Sequence, residues 1–231
     1  VPSPIIVALD VESLAQADAM VARIGAEADH YKVGLQLLTE AGPESVRRLV
    51  SVGKSVFLDL KLHEIPSSVA GGVKAAGKLG ASMVTVHASA GGAALRAAVE
   101  AAKPYPSLKI LALTVITSLS DSDLPEIGLP PSVQTQVERL ARLAASCGCH
   151  GVVASVWEAS YLRSLLPKGF LVVTPGIQMN ASGSKDQART ASPAAAFEAG
   201  ATHIVVGRGI TAAADPAKAY QSAVSGFRAV V

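Results

Sequence analysis

The chain has 231 residues, half of them hydrophobic but only 4% aromatic, with 20 Lys and Arg against 18 Asp and Glu for a formal net charge of +2. That balance, with no block of like charges, argues against a nucleic-acid or membrane surface as partner and leaves room for a small anionic ligand. No apolar run reaches membrane-spanning length and Val1-Pro2-Ser3-Pro4 carries no signal-peptide pattern, so a cytoplasmic protein is expected.

Short β-rich runs alternate with Ala-rich helical stretches along the whole chain. In order, strand 5–10 leads to helix 14–26, strand 30–34 to helix 43–50, strand 55–61 to helix 67–79, and strand 83–87 to helix 93–101. Strand 109–117 then leads to helix 132–146, strand 151–155 to helix 157–165, strand 171–175 to helix 192–199, and strand 203–207 to helix 216–230. Eight such units with no composition break predict an α/β chain forming a single (β/α)8 TIM barrel, one domain over 1–231. An open doubly wound sheet is the structural alternative. Two strand-to-helix connections, 118–131 and 177–191, are longer than a barrel needs and rich in Gly, Ser and Pro, so both are expected to be lids.

Polar residues gather at the C-terminal strand ends, which converge on one mouth in a barrel. Asp10 closes the first run, Lys32 lies in the second, Asp59 and Lys61 close the third, and Thr117 ends the fifth. Residues two apart on a strand face the same way, so Asp59 and Lys61 point together. Four ionisable groups at one end cost too much desolvation to be incidental. Gly207-Arg208-Gly209 follows the last strand, where a close-approaching backbone and a guanidinium fork suit an oxyanion. His63 and His87 lack ligand partners at i+2 or i+4 and read as structural. Cys147-Gly148-Cys149 is too closely spaced for a zinc pair and reads as two reduced thiols. No metal is expected.

The blocks Val7-Ala8-Leu9-Asp10, Lys32-Val33-Gly34, Asp59-Leu60-Lys61-Leu62-His63-Glu64-Ile65-Pro66, Val86-His87-Ala88, Leu113-Thr114-Val115-Ile116-Thr117-Ser118, Thr174-Pro175-Gly176-Ile177, Asp186-Gln187 and Val206-Gly207-Arg208 stand in order along the chain. Together they resemble the bacterial orotidine 5'-monophosphate decarboxylase family from end to end. The resemblance implies conversion of OMP to UMP and CO2 without metal or other cofactor. By it, Asp10 binds ribose hydroxyls, Lys32 bridges the ribose and Asp59, and Lys61 is the general acid. Thr117 lies near the pyrimidine, while Gln178, Gln187, Gly207 and Arg208 belong to substrate and phosphate binding. It also implies a homodimer with shared active sites, in which Glu64, Ile65 and Ser68 reach into the partner's site.

The chain departs from the family pattern at three of these positions. Glu64 stands where the family has Asp, Ser68 where it usually has Thr, and Gln178 where it commonly has Arg. Two other readings stay open. One is a magnesium-dependent sugar-phosphate decarboxylase or aldolase of the same barrel superfamily, which would need further oxygen ligands at the end of strand four, where Val86-His87-Ala88 stands. The other is a nucleotide-binding barrel without catalysis.

Overall fold

The computed structural model describes residues 3–179 and 189–228. Its strands are β1 (Ile5–Ala8), β2 (His30–Val33), β3 (Ser55–Leu62), β4 (Met83–His87), β5 (Lys109–Leu113), β6 (Gly151–Val153), β7 (Leu171–Thr174) and β8 (His203–Val206). All pair in parallel and in chain order, and β8 pairs back to β1, closing the barrel. The helices are α1 (Leu14–Ile24), α2 (Leu35–Ala41), α3 (Glu44–Ser51), α4 (Pro66–Lys78), α5 (Gly91–Ala102), α6 (Val133–Ser146), α7 (Val156–Leu165), α8 (Pro193–Glu198), α9 (Arg208–Thr211) and α10 (Pro216–Arg228). The expected (β/α)8 order is therefore present, with two added helices. No helix among the described residues is long and apolar enough to cross a membrane.

Local chemistry explains the helix boundaries. Ser13 and Ser132 cap α1 and α6 by accepting from Gln16 N and Thr135 N, which satisfies donors that a helix start leaves unpaired. α7 opens with a capping box between Ser155 and Glu158. In α6 the buried residues Val133, Val137, Leu140, Ala141 and Ala144 recur at helical spacing and form the face turned to the sheet.

Two apolar layers follow from strand alternation. Inward-facing Ile6, Ala8, Phe57, Met83, Leu111, Leu113, Val153, Val173 and Val205 fill the barrel. Their strand neighbours pack outward against the helices in a second, larger cluster. Gly151 belongs to this close packing. A Cβ there would stand 2.5 Å from Leu171 Cβ and 2.7 Å from Leu171 O, so any side chain would push β6 away from β7. The 118–131 connection is held at several points. Asp121 accepts from Val133 N at the start of α6, Asp123 accepts from Ser120 N, and Leu124 is fully buried.

His30 opens β2, 1% exposed and edge-on to His203 with ring centroids 6.0 Å apart. Burial, then the charge of His203, push its pKa down from 6.5 to about 4, against the opposing pull of the Ser3 backbone and Asp29. The unfolded chain therefore takes up this proton before the folded one. Stability present above pH 6.5 is lost as pH falls towards 4, with His30 contributing up to about 3 kcal/mol. His87, His150 and His203 are shifted the same way, each chiefly by burial. We expect the urea midpoint to fall between pH 7 and pH 4.5, and to fall less in His30→Phe. An equal fall in that variant would contradict the assignment.

Candidate active site

β3 carries two of the four charged residues, Asp59 and Lys61, on an irregular stretch of strand. It pairs with β4 at Phe57 to Met83 and Leu58 to Val84, then resumes only at Leu62 to Val86, four steps along β3 against two along β4. The bulge keeps the alternation because it inserts an even number of residues, and Asp59 and Lys61 line the same cavity as Phe57. Lys61 adopts φ 50°, the one positive φ outside glycine among the described residues. Such a backbone costs a side-chain-bearing residue about 1–3 kcal/mol and is tolerated where its surroundings hold it.

The charges alternate in sign from β3 through β2 to Asp10, just past the end of β1. Lys61 Nζ lies 2.8 Å from Asp59 Oδ2, and Lys32 Nζ lies 3.9 Å from the same oxygen. Lys32 Nζ also donates to Asp10 Oδ1 at 2.9 Å. The inner pair is the drier, with side-chain exposures of 12% for Lys32 and 13% for Asp59, against 35% for Lys61 and 55% for Asp10. Gly34 leaves space for the outer contact, because a Cβ there would stand 2.9 Å from Lys32 Nζ and 3.3 Å from Asp10 Oδ1.

These four residues share a cavity of about 840 Å³ with Thr117, Gln178, Gly207 and Arg208. Thr117 is buried, whereas Arg208 is exposed at the rim. Gln187 lies outside the described residues. Glu64, Ile65 and Ser68 do not line the cavity. They belong to an exposed run over residues 63–68, where the Glu64 carboxylate accepts from Ile65 N at 2.5 Å and Ile65 is 61% exposed. His63 and His87 stack with centroids 5.0 Å apart, and the His87 ring contacts Ser89. Among the described residues, no group of three or more His, Cys, Asp or Glu could hold a metal ion.

Three contributors escape a reading by motif. Thr85, fully buried on β4, bonds both Asp59 and the Lys61 backbone. Glu158 caps α7 with one carboxylate oxygen, which accepts from Ser155 N at 2.9 Å, and binds the Arg189 guanidinium with the other. Arg189 reaches on to Ile116 O at 3.4 Å, so the segment returning from β7 is tied to the turn after β5. A parallel bridge between Ile177 and Ala191 closes the base of that connection. The Glu158–Arg189 partners are 31 residues apart, and only Thr85, polar in an inward-facing strand position, offered a local signal.

A closed parallel barrel with lysines and carboxylates alternating at its mouth, in one cavity with Gly207, Arg208 and Gly209, defines an enzyme of the (β/α)8 class. More narrowly, the chain belongs to the orotidine 5'-phosphate decarboxylase / HUMPS family, whose model matches residues 3–223. It is 46% identical over 217 residues to an orotidine 5'-phosphate decarboxylase of Sodalis glossinidius (strain morsitans), covering 93% of this chain and 86% of that one. With the enzyme of the same description from Laribacter hongkongensis (strain HLHK9) it shares 47% over 215 residues, covering 93% and 88%. The crystal structure of orotidine 5'-phosphate decarboxylase from Lactobacillus acidophilus superposes with a TM-score of 0.87 at 36% identity, over 97% of this chain and 99% of that one.

The Glu158–Arg189 pair gives a stability prediction. Burial pushes the Glu158 carboxyl up, and the Arg189 guanidinium pulls against it. Arg189→Met would leave that carboxylate buried without its partner, a loss of roughly 3–5 kcal/mol. The loss should be largest at pH 8 and smaller at pH 5, where the raised carboxyl can take a proton. Urea unfolding at the two pH values checks this, and adding Glu158→Gln to Arg189→Met should recover part of the loss.

Proposed function

We propose that this chain is an orotidine 5'-monophosphate decarboxylase, a carboxy-lyase that converts OMP to UMP and CO2 in pyrimidine biosynthesis. The observation that carries the reading is Lys61 Nζ, paired with Asp59 at 2.8 Å and facing a cavity shared with Gly207 and Arg208. The reading takes residues 1–231 as one catalytic domain working in the cytoplasm.

Loss of CO2 breaks the bond between C6 and the carboxylate carbon and leaves its electron pair on C6. Stabilisation comes from charges already in place, because a fixed ammonium needs no reorganisation as the negative charge develops. Lys61 sits beside C6 in this reading and then donates the proton that forms the C6–H bond of UMP. The resulting amine recovers its proton from solvent. Asp59 orients Lys61 and stands near the substrate carboxylate. Like charges about 4 Å apart repel by roughly 4 kcal/mol at an effective dielectric near 20, and that repulsion ends as CO2 departs. Asp10 and Lys32 hold the ribose, Thr117 lies beside the pyrimidine, and Gln178, Gln187, Gly207 and Arg208 take the phosphate. Binding energy from that remote group helps exclude water from the reacting carbon.

A homodimer with shared sites completes the reading. Its support is the exposed run 63–68, with Ile65 largely bare beside the barrel mouth. Glu64, Ile65 and Ser68 then act in the partner's cavity, with Glu64 adding a negative charge near the partner's Lys61.

The test is a spectrophotometric OMP decarboxylation assay with EDTA present. Unchanged turnover is expected, whereas activity that needs added magnesium would favour the sugar-phosphate reading. Lys61→Ala should lower kcat by several orders of magnitude while UMP still binds; near-normal turnover would remove Lys61 from the chemistry. Arg208→Ala should act mainly on kcat/KM, as expected for a group that captures phosphate, and an unchanged kcat/KM would count against it.

A further inference from the structure

We propose that Thr85 is the positioning residue that aims Asp59 and Lys61, through a hydrogen-bonded ring that begins and ends on Lys61. This deepens the decarboxylase reading and rests on its assignment of Lys61 and Asp59. The Lys61 backbone N–H donates to Thr85 Oγ1 at 2.8 Å. Thr85 Oγ1 donates to Asp59 Oδ1 at 2.9 Å. Asp59 Oδ2 in turn accepts from Lys61 Nζ at 2.8 Å.

The direction of each bond follows from chemistry. An amide N–H can only donate and a carboxylate can only accept, so the one hydroxyl proton of Thr85 must go to Asp59. Asp59 therefore has one oxygen held by β4 and the other turned to Lys61 and Lys32. Thr85 is fully buried and its own strand is regular, with Thr85 opposite Leu111 on β5. The irregular bulge is thus braced against a straight strand. The same hydroxyl supports the backbone of Lys61 at φ 50° and orients the partner of its ammonium. Valine would keep the shape and lose both bonds.

The experiment compares wild type, Thr85→Val, Thr85→Ser and Lys61→Ala in OMP turnover, UMP binding by calorimetry, and thermal unfolding. Thr85→Val should lose kcat by on the order of 10²-fold, the size of a misplaced reacting group, with KM and UMP affinity little changed. Thr85→Ser should restore most of the kcat. The proposal is overturned if Thr85→Val turns over like wild type while Lys61→Ala is inactive. It is overturned too if serine fails to rescue, or if the valine variant loses UMP binding and stability together with turnover. An active Lys61→Ala would instead sink the underlying decarboxylase assignment.

Discussion

The contact between the Lys61 ammonium and the Asp59 carboxylate, 2.8 Å apart above an apolar barrel, is the one the rest of the site depends on. Each charge offsets part of the other's desolvation, since removing an ion from water costs several kcal/mol even after relaxation. The structure meets that cost by alternating signs, so that Lys32 touches both Asp59 and Asp10. Exposure is graded along the array, with the dry pair in the middle and the wetter groups at the ends. Such an arrangement can keep its charges without sealing them from water before a ligand arrives.

The bulge in β3 makes that array possible. A strand in unbroken register would set residue 59 opposite residue 85, whereas here residues 59–61 share the interval that Thr85 spans between Val84 and Val86. The extra chain length places two charged side chains at the mouth within one strand, and the twist it needs falls on Lys61. Strain of this kind persists only where neighbours over-determine the backbone, and the buried hydroxyl of Thr85 is one such neighbour.

The eight β/α units were legible because β-rich runs and Ala-rich stretches are local signals, and the count of eight pointed to the closed barrel over an open sheet. What was not legible had no local mark. α2 starts at Gly34 with no side-chain cap and runs for seven residues, too short to show periodicity. α9 spans four residues directly after Gly207. The fifth strand ends at Leu113 and not at 117: Thr114 still gives both its N–H and its hydroxyl to Val153 O, and the register with β6 stops there. The common facing of Asp59 and Lys61 was readable by alternation, yet the bulge beneath it was not, since no glycine or proline marks it. The 118–131 connection read as a lid from length and composition alone. Its buried Leu124 and aspartate-anchored turns depend on partners that length does not reveal.

A division of labour follows from where these contacts run. The hydrogen bonds and ion pairs described for the charged array join β2, β3 and β4 to Asp10, which stands just past the end of β1. The opposite wall of the cavity is built from residues 176–179 and 207–209, which follow β7 and β8. The first of these segments is clamped by the Ile177–Ala191 bridge, and Arg189 ties the returning chain to buried Glu158 and to Ile116 O. The charges of the array are therefore held in place largely by strand packing, as the electrostatic stabilisation proposed for them requires. The wall proposed to take the phosphate is held by a separate set of contacts. Binding energy gathered there need not be spent on aiming the array, which its own strands already hold.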